Sequence, residues 1–126
     1  MTAAAVAAAG LIGLVATFQV ALVLGAPWGA AAWGGGHPGR LPMGLRLASV
    51  AAIGVLVMLA WIVLAAAGAV AASPIPRPWL GAAAWVGTVY FGLGAVANAI
   101  SRSRIERLWA PVALLTAVCY GLVAAG

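Results

Sequence analysis

Polar residues are so sparse along this chain that their positions divide it. Four long apolar runs stand out, at about 3–24, 47–71, 80–100 and 108–125, each near the ~20 residues that one helical crossing of a bilayer requires. Three interruptions separate them: GAPWGAAAWGGGHPGRLPMGLR from Gly25 to Arg46, SPIPRPW from Ser73 to Trp79, and SRSRIER from Ser101 to Arg107. The pattern predicts an all-α membrane protein, a single domain built as a four-transmembrane-helix bundle.

The first interruption is the longest and carries the most local information. Pro27 can open a helical turn, because its missing N–H costs nothing at a first helical position. Trp28 and Trp33 have amphipathic rings suited to the headgroup layer, so Pro27 to Trp33 reads as a short interfacial helix or turn. Gly34 to Gly36 then free the backbone, His37-Pro38 forces an extended or turn step, and Gly39 and Pro42 punctuate the approach to the second run. Trp79 and Trp109 are further interfacial candidates, at the starts of the third and fourth runs.

Within the runs the few polar groups mark where helices meet. Gln19, with Thr17 nearby, needs a partner inside hydrocarbon. An interhelical hydrogen bond, worth about 0.6–2 kcal/mol, or a ligand contact would each supply one. In the second run Gly54, Met58, Trp61, Ala65 and Gly68 recur at helical spacing, which predicts close packing along that stripe with Trp61 in the core. In the third, Gly87, Phe91, Gly94, Asn98 and Ser101 form a face graded from small and apolar to polar, leading into the last loop. There Ser103 and Glu106 have capping-box spacing, Glu106 can pair with Arg102, and Pro111 falls near the start of the last helix. The prolines of Ser73–Trp79 end the second helix in a stiff connection.

Composition agrees. The 126 residues are 67% hydrophobic and 6% charged, with mean hydropathy +1.20, whereas soluble domains are about 25% charged. The first run has no cationic stretch ahead of it and exceeds the roughly 7–15 residues of a signal-peptide core, so it reads as a retained helix. The net charge of +5 comes from arginines beside apolar runs, which points to topology and anionic lipid headgroups rather than nucleic acid. With four crossings the first and third loops share a side, carrying Arg40, Arg46, Arg102, Arg104 and Arg107 against Arg77 alone on the other. The positive-inside rule predicts those two loops in the cytoplasm and both termini outside a bacterial inner membrane.

The two arginine-rich loops are the only polar concentration this chain can build. His37, Arg40, Arg46, Asn98, Ser101, Ser103, Glu106 and Arg107 could form a site for an anionic group, with guanidinium forks and glycine backbone as donors. The same residues could instead anchor topology, as headgroup contacts and helix caps. The inventory argues against an enzyme: it holds no carboxylate pair, no second histidine for a metal and no nucleophile motif, and no cofactor or metal site is expected. One cysteine, Cys119, excludes an internal disulfide. Every ionisable group at or beyond a helix end disfavours proton-coupled cation transport.

GAPWG at Gly25–Gly29, WGG at Trp33–Gly35, Leu41-Pro42, Arg46, Ser49, Asn98, Ser101, Ser103, Glu106, Arg107 and Pro111 together resemble a family of small four-span bacterial membrane proteins without an established activity. The alanine, glycine and arginine usage looks like that of high-GC actinobacterial sequences. The resemblance implies the four-span fold and singles out the loop ends. The expected function is non-catalytic binding of an anionic lipid headgroup, ligand or partner through the two loops, in a homo-oligomer. The alternative is an oligomeric transporter or channel for an anionic or neutral solute, with Gln19, Asn98, Ser101 and Tyr90 along its path.

Overall fold

A computed structural model describes all 126 residues. Four helices, α1 (Thr2–Val23), α2 (Met43–Ala66), α3 (Leu80–Ala99) and α4 (Trp109–Ala125), are joined by irregular segments holding short 3₁₀ turns at Gly29–Ala31, Trp33–Gly35, Arg77–Trp79 and Glu106–Leu108. All four apolar segments are long enough to cross a bilayer, the last counted from Glu106 to Ala125. The chain is therefore a small integral membrane protein, an all-α four-helix bundle.

Glycine geometry sets two of the helix ends. Gly25 (φ 96°) and Gly68 (φ 73°) adopt the left-handed conformation. Behind them Ala26 N–H reaches the Ala21 carbonyl at 3.0 Å and Ala69 N–H the Leu64 carbonyl at 2.9 Å. These six-to-one bonds close α1 and α2 as Schellman caps and satisfy carbonyls that hydrocarbon would otherwise leave unpaired. Gly68 corrects the expected second span: α2 occupies Met43–Ala66 rather than 47–71. Its start is earlier too, because Pro42 is extended and caps the helix, accepting from the Leu45 and Arg46 amides. Pro111 sits in the first turn of α4, where no helical partner for its nitrogen exists, so it is tolerated without a break.

α1 packs along both α2 and α4, α3 packs along α4, and α2 and α3 only graze one another. The dry core lies in the half of the bundle away from the first and third loops, among Ala5, Ala8, Ile12, Leu59, Val63 and Tyr120. At its centre Tyr120 is fully buried against Gly87, where an added Cβ would overlap the ring. The Tyr120 hydroxyl donates to the Leu59 carbonyl at 2.7 Å, so α2, α3 and α4 meet on one side chain.

The graded stripe of α3 faces inward, with Gly87 and Phe91 buried and Asn98 half-buried. Of the stripe expected on α2, only Ala65 reaches the core. α2 turns Leu56, Leu59, Ile62 and Val63 to the core, which leaves Met58 and Trp61 outside, Trp61 at 40% exposed, with nothing within 4 Å of a Cβ at Gly54. Trp61 is a strut rather than a core residue: its indole N–H donates to the Ala72 carbonyl at 2.9 Å and fastens the connection to α3.

Candidate functional site

The first and third loops meet at one end of the bundle and interlock. Ser103 Oγ donates to the Ala30 carbonyl, and the Gly34 amide donates to Glu106 Oε2 at 2.9 Å. Trp33, Gly34 and Gly35 are all left-handed, with φ of 51°, 79° and 73°. For a tryptophan this is an uncommon backbone. It lets Trp33 hand its indole N–H to Ser49 Oγ at 3.1 Å, on a fully buried residue of α2, while the next amide serves Glu106. The first loop is thus pinned to α2 and to the turn before α4 by neighbouring residues. The capping box forms by half: Ser103 Oγ accepts the Glu106 amide at 3.3 Å, but the carboxylate has left for Gly34, and Ser103 N–H is taken by Ser101 Oγ. Glu106 pairs with Gly34 instead of Arg102.

The arginines expected to form an anion site are placed differently from one another. Arg46 is spent on α1, its Nε and Nη2 donating to the Val23 carbonyl at 3.0 and 2.7 Å, where a cation also favours the negative helix end. Arg107 Nε donates to the Ser101 carbonyl at 2.6 Å. The Arg40 guanidinium lies across Gly25, where an added Cβ would stand 2.8 Å from Nε. His37, Arg40, Arg102 and Arg104 are exposed, and His37 makes no side-chain hydrogen bond; its backbone passes so close to Gly29 that an added Cβ would overlap the His37 carbonyl.

Beneath the interlocked loops lies a cavity of about 480 Å³ among the four helices. Glu106, Gln19, Asn98, Thr116 and Trp33 supply its polar wall, and its other lining residues include Leu56, Phe91 and Trp109. Glu106 is 8% exposed. Gln19 Oε1 is buried with no hydrogen-bond partner, so neither the expected interhelical bond nor water-facing solvation satisfies this oxygen. Leu56 and Phe91 form the floor; at about 1.5 Å of rise per residue the cavity runs roughly 12 Å along α3 from its loop end. Below it Tyr120, Leu59 and Gly87 close the bundle. Tyr90 and Leu93 also line it while standing 47% and 66% exposed, so the cavity opens sideways at the loose seam between α2 and α3.

Four tryptophans mark the two ends, Trp28, Trp33 and Trp109 with the interlocked loops and Trp79 at the other. Phe18 of α1 lies between two of them, parallel to Trp28 within 4° at 6.4 Å and tilted against Trp109 at 4.8 Å. Such pairs contribute about 0.5–1.5 kcal/mol beyond area burial. Sequence reading singled out Glu106, Gln19, Asn98 and Tyr90 among the cavity's lining and missed Thr116, Phe18 and the inward role of Trp33. Ser49 carried the one available signal for Trp33, as a lone hydroxyl near the start of an apolar run.

Compared with protein-family models, curated proteins and solved structures, the chain matches none. What defines its class is therefore the fold and the site: a four-span membrane protein whose loops roof a side-opening cavity with a buried acid.

Proposed function

We propose that this protein is a non-catalytic binding protein of the bacterial inner membrane that takes a small amphiphile into the bundle beneath its cytoplasmic loops. The observation that carries this reading is the cavity floored by Leu56 and Phe91, with Glu106, Gln19 and Asn98 among its polar lining. The apolar lining and the sideways opening suit a hydrocarbon tail. The exposed Arg40, Arg102 and Arg104 serve a separate purpose at the rim, holding that end against anionic headgroups of the inner leaflet.

Transport is the weaker reading, because a path through the bundle would have to part Tyr120 from Leu59 and Gly87. The test is native mass spectrometry of protein released from membranes in mild detergent. Wild type is expected to carry a retained amphiphile, and Ala52→Trp, at an α2 residue that lines the cavity, to emerge empty at an unchanged melting temperature. A wild-type protein that retains nothing, or an Ala52→Trp variant that retains as much, would overturn the reading.

A further inference from the structure

We infer that the cavity selects an amphiphile with a cationic head, a protonated amine, rather than an anionic one; this rests on the binding reading above and assigns its ligand class. The charges at the loop end are arranged inside out relative to the expected anion site. The guanidinium groups of Arg46 and Arg107 are turned onto backbone carbonyls, and those of Arg40, Arg102 and Arg104 belong to exposed side chains. No arginine lines the cavity; the only acid in the chain does.

Glu106 is placed there by three contacts that do not neutralise it. Its own amide is held by Ser103 Oγ, Ser103 Oγ is anchored on the Ala30 carbonyl, and Oε2 accepts the Gly34 amide. That single bond leaves Oε1 without a protein partner and the carboxylate without an ion pair. An ammonium entering the cavity supplies both a countercharge and donors for the open oxygen. Of the polar hydrogens nearby, Trp33 Nε1–H goes to Ser49 and the Thr116 hydroxyl to the Val112 carbonyl, while the Gln19 and Asn98 amides keep donors as well as acceptors. An ammonium has three donors and no acceptor, which complements the Glu106 carboxylate, whereas a carboxylate or phosphate head would face Glu106 with like charge.

The experiment compares dodecylamine, dodecanol and dodecanoate, which share a tail and differ in the head, by quenching of tryptophan fluorescence in nanodiscs of zwitterionic lipid, with empty nanodiscs as the blank. Dodecylamine is expected to bind about tenfold or more tighter than dodecanol, about 1.4 kcal/mol, and dodecanoate weakest. Glu106→Gln keeps an oxygen for the Gly34 amide and is expected to bring the amine down to the level of the alcohol. Equal binding of amine and alcohol by wild type, tighter binding of dodecanoate, or an amine preference that survives Glu106→Gln would each overturn the inference while leaving the binding reading standing. Failure of all three probes to bind above the blank would instead remove the binding reading itself.

Discussion

Gly34 donates its amide hydrogen to Glu106 Oε2 across 72 positions of sequence, so the only acidic side chain joins the first loop to the third. Hydrogen bonds to charged groups contribute about 1.5–3 kcal/mol. Glu106→Ala is expected to lose an amount in that range, and Glu106→Gln, which still presents an oxygen to Gly34, less than half as much. Thermal unfolding in detergent followed by circular dichroism checks this. An alanine variant as stable as wild type would show that the contact contributes nothing.

The Gly87–Tyr120 contact gives the sharpest packing prediction. A methyl group at position 87 would overlap the buried ring, and overpacking of this kind costs about 1–3 kcal/mol. Gly87→Ala is expected to lower the melting temperature clearly. Gly92→Ala, on the same helix with nothing within 4 Å of its Cβ, is expected to leave it unchanged or raise it slightly. Equal behaviour of the two would refute the close approach.

At Gly68 space is free but the backbone is not, since φ is 73° with nothing within 4 Å of an added Cβ. A side chain there meets only the left-handed penalty, about 1–2 kcal/mol. Gly68→Ala is expected to cost about that much and Gly68→Asn noticeably less, because asparagine tolerates this conformation at helix ends. The ordering of the two melting temperatures is the measurement.

The orientation proposed from charge is open to direct labelling. In a Cys119→Ala background, His37→Cys and Arg104→Cys are expected to react with a membrane-impermeant maleimide only after cells are permeabilised, and Arg77→Cys to react on intact cells. Opposite results for His37→Cys and Arg104→Cys would contradict the shared loop face.

Much of the architecture was legible because hydrocarbon imposes it. Runs near 20 residues, punctuated by Gly25, Pro42 and the prolines of Ser73–Trp79, locate four helices with little ambiguity. The facing of α3 was legible because its stripe mixes glycine with Asn98, which must turn away from lipid. The facing of α2 was not: its stripe is as apolar as the rest of the helix, so no residue there is forced inward, and Trp61 went to the outside. The loop site was half legible. Residue types named Glu106, Gln19 and Asn98, but spacing favoured a local cap for Glu106, whereas its partner came from Gly34. The arginines looked like ligand donors because sequence does not reveal that Val23 and Ser101 carbonyls stand within their reach.

The loose seam between α2 and α3 sets how this protein would be supplied. An occupant entering there comes from the acyl-chain layer rather than from the cytosol, so saturation would follow the mole fraction dissolved in the leaflet. Lengthening the tail of a soluble candidate would then raise its effective dose by partitioning alone, up to the length that the floor at Leu56 and Phe91 admits.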